Sequence, residues 1–401
     1  QILYLCNIYI YIYIYIYIEF IYDFYLGNGG KIPGKQGTAP ESTRDEYGQT
    51  ELMRAATAHS LTDMLDLLEQ QADPNLLDKK AKTALMLAVL AEFDEGVMAL
   101  LKEGVLMNIQ DHNGYTALMH AVDRMYTVII PDLLKYGANP NLADDYGTTP
   151  LILATKNNDM KSVEMLLKDG VEVDLRDEGG KTAFMYAVKL RHTEIALVLL
   201  DYGANSNITY KKGNTAMTIA AKKGHDDILK SLLDHGIPTE RWSREALHDA
   251  IVNGQANVVS TFLDYNISIE SSILFPLPLV LAVRGGDMKV VAVLVEKGVD
   301  VNALDIRHGT ALTVAAETGK LDIMRYLLDN GAEINKKGKN GNSALMAAVE
   351  QGDKEVLQIL FEHNADPNHV NRDGDTALMK AVEKRDNNLV ASLLEHGADP
   401  S

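Results

Sequence analysis

Cysteine is almost absent: 401 residues contain one, Cys6. A single thiol makes no intrachain disulfide, no multi-cysteine zinc site and no iron–sulfur cluster. That usage points to a reducing compartment, and a cytoplasmic location is the expectation. Basic residues are also short. There are 38 Lys+Arg against 56 Asp+Glu, a formal charge of −18 and a pI near 5.0. A chain this acidic repels phosphate unless its cations are segregated, so nucleic acid is not an expected partner. Apolar residues make up 46%, enough to bury a substantial core.

Catalytic and ligand motifs are missing as well. No Gly-x-Gly-x-x-Gly follows a strand pattern, and no Gly-Lys-Ser/Thr phosphate loop occurs. GNGGK at 27–31 and GKNGNS at 338–343 lack the strand–loop–helix setting. No His-Glu-x-x-His zinc helix and no Gly-x-Ser-x-Gly elbow is present. The histidines are scattered and read as surface residues, His112 and His120 included. Acid pairs such as Asp144/Asp145 and Asp226/Asp227 fall in turns and helix starts, where a carboxylate suits the helix dipole. Catalytic, cofactor and metal residues are therefore all expected to be none, and the chain is not expected to be an enzyme.

The start of the chain obeys a different pattern. Residues 1–26, QILYLCNIYIYIYIYIYIEFIYDFYL, alternate Tyr and Ile strictly from Ile8 to Ile18. As a strand this is an aggregation pattern. As a membrane helix it is marginal, because Glu19 and Asp23 follow closely and the Tyr hydroxyls suit an interface. No basic region precedes it and no small-residue cleavage site follows, so it is a poor signal peptide. Three readings stand: the product of a TATATA nucleotide tract, a hydrophobic anchor, or a local role of another kind. Residues 27–44 are rich in Gly, Pro, Ser and Thr and read as a flexible linker.

From residue 45 onward one period organises the chain. A Thr-Ala-Leu-Met signature places Leu52, Leu85, Leu118, Leu151, Phe184, Met217, Leu247, Leu279, Leu312, Leu345 and Leu378 in register, nearly always 33 residues apart. Such regularity means a stacked repeat array. In residues 111–143, Asp111 and Gly114 bracket a tight turn and Thr116 caps a helix. Ala117, Leu118, Ala121 and Val122 form its apolar stripe; Val128, Ile129, Leu133 and Leu134 form that of a second helix, which ends at Gly137.

This grammar resembles the ankyrin repeat over residues 45–401, eleven units, with DYGTTPLILA at 145–154, YGANPN at 136–141, KGHDDILKSLLDHG at 223–236 and HGADP at 396–400 carrying the likeness. The resemblance implies an all-α repeat fold, an ankyrin-type solenoid of helix–turn–helix units with β-turn fingers. It departs from the family pattern of Thr-Pro-Leu-His. Pro stands second only at Pro150 and Pro278, and His fourth only at His248. Met53, Met86, Met119, Met185, Met346 and Met379 take that fourth place elsewhere. The family's His ties neighbouring fingers by hydrogen bonds, which Met cannot do, so stability is expected to lean on packing between units.

The expected layout is units one to six at 45–236, an irregular unit seven at 237–266, and units eight to eleven at 267–401. The loops 237–248 and 267–280 lack the Asp-x-x-Gly turn; Trp242 and the apolar run Ile273–Val280 sit in them. A bend there and ordinary stacking of degenerate units both remain open. The last helix pair, with Leu378, Ala381, Val382, Leu389, Leu393 and Leu394, reads as an internal unit, so the array continues or its end is poorly capped.

In such a solenoid the fingers and first helices line one concave face, and its variable positions encode specificity. Tyr115, Tyr146, Lys181, Lys211 and Lys212 fall at finger tips. Arg124, Lys156, Lys189, Arg191, Lys222, Lys223 and Arg284 recur on the solvent side of the first helices. Together they predict a basic stripe over units three to eight, suited to a protein partner with an acidic face. Ordinary solvation of surface lysines is the competing reading. The function expected is a non-catalytic, monomeric interaction scaffold; the alternative is the regulatory or targeting part of a larger enzyme, ubiquitin-ligase adaptor, effector or membrane protein. Membrane contact is expected only if residues 1–26 are a real anchor.

Overall fold

A computed structural model describes residues 44–239, 243–267 and 277–401, apart from the Lys212 side chain. The Tyr-Ile leader, the linker up to residue 43, Trp242 and residues 273–276 of the apolar run lie outside the described residues.

The chain divides into two compact units, Gln1–Leu106 and Met107–Ser401. In the first, α1 (Glu51–Thr57) and α2 (Leu61–Glu69) are followed by α3 (Ala84–Leu90) and α4 (Asp94–Lys102). Helix α1 packs on α3, and α2 on α4. The two fingers are tied by Lys79 N–H, which donates to the Tyr47 carbonyl at 3.0 Å.

The second unit repeats the same pairing. Its first helices are α5 (Ala117–Asp123), α7 (Pro150–Lys156), α9 (Ala183–Leu190), α11 (Ala216–Lys223), α13 (Ser243–Val252), α15 (Pro278–Gly285), α17 (Ala311–Thr318), α19 (Ala344–Gln351) and α21 (Ala377–Glu383). Its second helices are α6 (Ile130–Lys135), α8 (Met160–Lys168), α10 (Thr193–Asp201), α12 (Asp226–Asp234), α14 (Ala256–Asp264), α16 (Met288–Glu296), α18 (Leu321–Asp329), α20 (Lys354–Glu362) and α22 (Asn387–Glu395). Consecutive first helices pack in a row from α5 to α21, and consecutive second helices from α6 to α20. The row runs through the irregular unit: α13 touches α11 and α15, and α14 touches α12 and α16. Among the described residues there is no extended strand; isolated bridges close the turns at Tyr210–Asn214 and Asp305–Gly309.

Helices of six to ten residues are marginal alone, so packing holds them. Each regular first helix is started by a hydroxyl. Thr116, Thr149, Thr182, Thr215, Thr310, Ser343 and Thr376 accept from the backbone N–H three residues on. The first helices are buried almost all round: on α5, residues 117–122 are all buried. The second helices are one-sided: α8 buries Val163, Leu166 and Leu167 and exposes Lys161 and Lys168. The methionines of the signature are core: Met53, Met86, Met119, Met185 and Met346 are buried, while Met379 on α21 is exposed.

Packing is not the whole tie between units. Asparagine or aspartate in the loop after most second helices accepts from a backbone N–H of the following unit. Asn108 Oδ1 takes Asn139 N–H, Asn141 takes Glu172, Asp174 takes Asn205, Asn302 takes Glu333, Asn335 takes Asp366 and Asn368 takes Asp399, at 2.7–3.1 Å. His192 and His225 add bonds to the Thr155 and Val188 carbonyls of the preceding first helices, at 2.9 and 3.2 Å. The expectation of reliance on packing is corrected accordingly: hydrogen bonds link the units, but from other repeat positions than the one Met occupies.

Among the described residues the ladder is interrupted at Asn207. Asn207 stands at the ladder position, yet its Oδ1 is buried without a partner. The donor position is Pro238, which has no backbone N–H. Restoring the donor relieves a buried unsatisfied acceptor, a gain of roughly 1–3 kcal/mol. Removing Pro returns roughly 0.4–1 kcal/mol of unfolded-state entropy. Pro238→Ala is therefore expected to stabilise the chain by about 1 kcal/mol in urea unfolding; a loss of stability would show that Asn207 has no use for a donor there.

Candidate partner-binding face

The fingers at 111–115, 144–148 and 177–181 are each built by a leading aspartate. Asp144 Oδ1 accepts from Tyr146 N–H at 2.9 Å and Thr148 N–H at 2.7 Å. Asp111 does the same for Asn113 and Tyr115, and Asp177 for Lys181. Neighbouring fingers then join through the backbone: Asp145 N–H donates to the Asn113 carbonyl and Glu178 N–H to that of Tyr146, at 3.3 and 3.0 Å. Gly147, at φ +74°, permits this approach, since a Cβ there would lie 2.7 Å from Glu178 N. The fingers and the C-terminal halves of the first helices thereby form one face within residues 107–401.

Tyr115 is half-buried, with its ring centroid 5.3 Å from that of His120. Burial pushes its phenol up, helped by Asp123, Asp144 and Asp111. His120 is not a surface histidine: it is buried, and its Nε2 lies 3.0 Å from Asp111 Oδ2. Tyr146 is the exposed aromatic, at 72%. Arg124, Lys211, Lys222, Lys223 and Arg284 are exposed. Arg191 is held in the left-handed conformation (φ +64°) and pairs with Asp227 at 2.6 Å, which holds that carboxyl below its usual range. The Lys212 side chain is outside the described residues.

The structure brings three of the sequence-selected lysines together around a residue the sequence reading passed over. Tyr186 stands on α9 where the neighbouring units carry Leu153 and Ile219. Its hydroxyl donates to Asp177 Oδ2 at 2.5 Å. Lys156 Nζ, from the end of α7, lies 4.5 Å from its ring centroid; Lys189 lies at 5.7 Å and Lys181, from the finger, at 5.8 Å. Lys181 also sits 4.9 Å from the Tyr210 ring. Burial pushes the Lys156 ammonium below the ordinary lysine range; Asp177 and Asp144 oppose the shift, and Lys181 and Lys189 add to it. Burial, with the bond to Asp177, pushes the Tyr186 phenol well up. The signal in the sequence was a polar aromatic at an apolar repeat position.

The basic row has a limit that register also reveals. Lys156, Lys189, Lys222 and Arg284 occupy one repeat position, near first-helix C-termini, where the helix dipole favours a cation. Unit seven carries Val252 there, and units nine to eleven carry Glu317, Glu350 and Glu383. Glu350 is paired with Lys380 at 2.8 Å.

Among the described residues no group of three His, Cys, Asp or Glu side chains is placed to hold a metal ion. No helix among them is long and apolar enough to cross a membrane. On the opposite side a groove of about 560 Å³ runs between α20 and α22, lined by Leu357, Phe361, Leu389 and His396.

The family model for ankyrin repeats (3 copies) matches residues 52–144, 125–210, 202–273, 276–338 and 333–401. A comparison with curated proteins finds no match.

Proposed function

Because the chain belongs to the ankyrin-repeat family, we propose that it is a non-catalytic binding protein whose finger and first-helix face holds a protein partner. Ankyrin repeats are in general protein-interaction modules. The acidic side of that partner lies along the row Lys156, Lys189 and Lys222. The observation that carries this reading is the state of that row: within a chain of charge −18, none of the three ammonium groups forms an ion pair among the described residues. On the second helices, by contrast, Lys168 pairs with Glu164 and Lys230 with Asp226. A preordered face spends little ordering entropy on binding, and complementary charge adds rate and orientation.

The test is charge reversal. Lys189→Glu with Lys222→Glu and Lys223→Glu is expected to weaken retention of a partner captured by the unaltered chain about tenfold or more, with the helical circular dichroism unchanged. These side chains are exposed or half-buried, so the fold has no reason to fail. Equal affinity of the two chains for that partner sinks the basic-row reading.

A further inference from the structure

Like charges do not gather without cause. Lys156, Lys181 and Lys189 come from a helix end, a finger and a helix turn of two adjacent units, yet all three lie 4.5–5.8 Å from the centre of one Tyr186 ring, with Lys181 between it and Tyr210. An isolated group of ammonium ions would spread apart in water. The ring offsets part of that repulsion through its negative face. Its hydroxyl is anchored on Asp177, so the platform cannot swing away.

The nearby carboxylates do not close the cluster. Asp177 spends one oxygen on Lys181 N–H and the other on the Tyr186 hydroxyl. Asp144 Oδ1 is engaged by two N–H groups of its own finger. Lys156 donates to the Thr148 hydroxyl, at 3.4 Å. Gly179, which has no side chain, leaves the Lys181 ammonium open; a Cβ there would lie 3.2 Å from it. Asp177 and Asp144 are nearby anions that act on Lys156, against the cations Lys181 and Lys189.

We infer that the Lys156–Lys181–Lys189 cluster on Tyr186 is a receptor for one carboxylate, the side chain of an Asp or Glu in an acidic peptide segment of the partner. The inference rests on the proposed binding face and fixes the place where the segment is anchored. A carboxylate complements three ammonium groups whose neighbouring Asp177 is already engaged through both oxygens. Tyr186 is a positioning residue: it holds the cations and needs no contact with the carboxylate. Lys211, Lys222 and Lys223, one unit on, then meet neighbouring acids of the same segment.

The experiment is equilibrium binding of fluorescein-labelled hexaglutamate to the full chain, read by anisotropy. Lys156→Ala with Lys181→Ala and Lys189→Ala is expected to weaken binding about tenfold or more. Tyr186→Leu, which changes no charge, is expected to weaken it about threefold, while Tyr186→Phe, which keeps the ring, retains most of it. A purely structural role for Tyr186 would not separate Leu from Phe in binding at equal helicity. As a comparison, Lys211→Ala with Lys222→Ala and Lys223→Ala leaves the cluster intact. If only that variant loses affinity, the basic face stands and the carboxylate receptor is overturned. No binding of hexaglutamate by the unaltered chain overturns it too, as does a phosphoserine peptide of the same length binding tenfold tighter than hexaglutamate.

Discussion

Phe184→Ala is expected to destabilise the protein by about 3–5 kcal/mol, the range for emptying a large aromatic site in a packed core. Phe184 is among the largest fully buried side chains, at 1% exposure. It stands at the Leu position of its unit on α9, a helix that packs against both α7 and α11. The lesion therefore weakens two interfaces at once. In a repeat array each unit is stabilised mainly by its neighbours, so a weak central unit uncouples the segments on either side. Urea unfolding followed by circular dichroism should show a lower midpoint and a broadened or split transition. A midpoint equal to that of the unaltered chain would mean that neighbouring helices close the cavity, contrary to the close packing of interiors.

Gly147→Ala should cost nearly as much for an unrelated reason. At φ +74° an L-residue pays roughly 1–2 kcal/mol for the left-handed conformation. Its Cβ would also lie 2.7 Å from Glu178 N and 2.9 Å from Asp177 Cα. The next finger must retreat, and the bond from Glu178 N–H to the Tyr146 carbonyl opens. Gly170 supplies the control: it has φ +79° with nothing within 4 Å of an added Cβ. Gly170→Ala should show the conformational cost alone, and the difference between the two variants isolates finger-to-finger packing, about 1–3 kcal/mol. Because the displaced finger carries Lys181, Gly147→Ala should also weaken hexaglutamate binding, whereas Gly170→Ala should not. Equal stability of the two variants would show that the fingers slide without penalty.

Much of the fold was legible from periodicity. The stripe Ala117, Leu118, Ala121 and Val122 is buried on α5, and Thr116 caps that helix. Gly114 adopts the positive φ that the Asp-x-x-Gly turn implied. These features are local: a helical stripe, a cap and a turn each lie within a few residues, where hydrophobic spacing and backbone sterics act directly. The inter-unit hydrogen bonds were not legible in the same way. Asn141 and its donor Glu172 lie 31 residues apart, and nothing in either segment alone marks the pair. The missing partner of Asn207 shows only when Pro238 is placed opposite it.

The candidate face divides along the same line. The row Lys156, Lys189 and Lys222 follows from register alone, as does its replacement by Glu317, Glu350 and Glu383, because identical units put equivalent positions on one side. That Lys181 leaves its finger to join Lys156 and Lys189, that Arg191 is taken up by Asp227, and that His120 is buried against Asp111 depend on distances between segments. Repetition specifies which side a residue faces, because burial of the apolar stripe forces the same orientation on every unit. It does not specify which charges meet, because long side chains choose partners across units by Coulomb attraction, ring contacts and the space a glycine leaves open, and those arise only after the units have stacked.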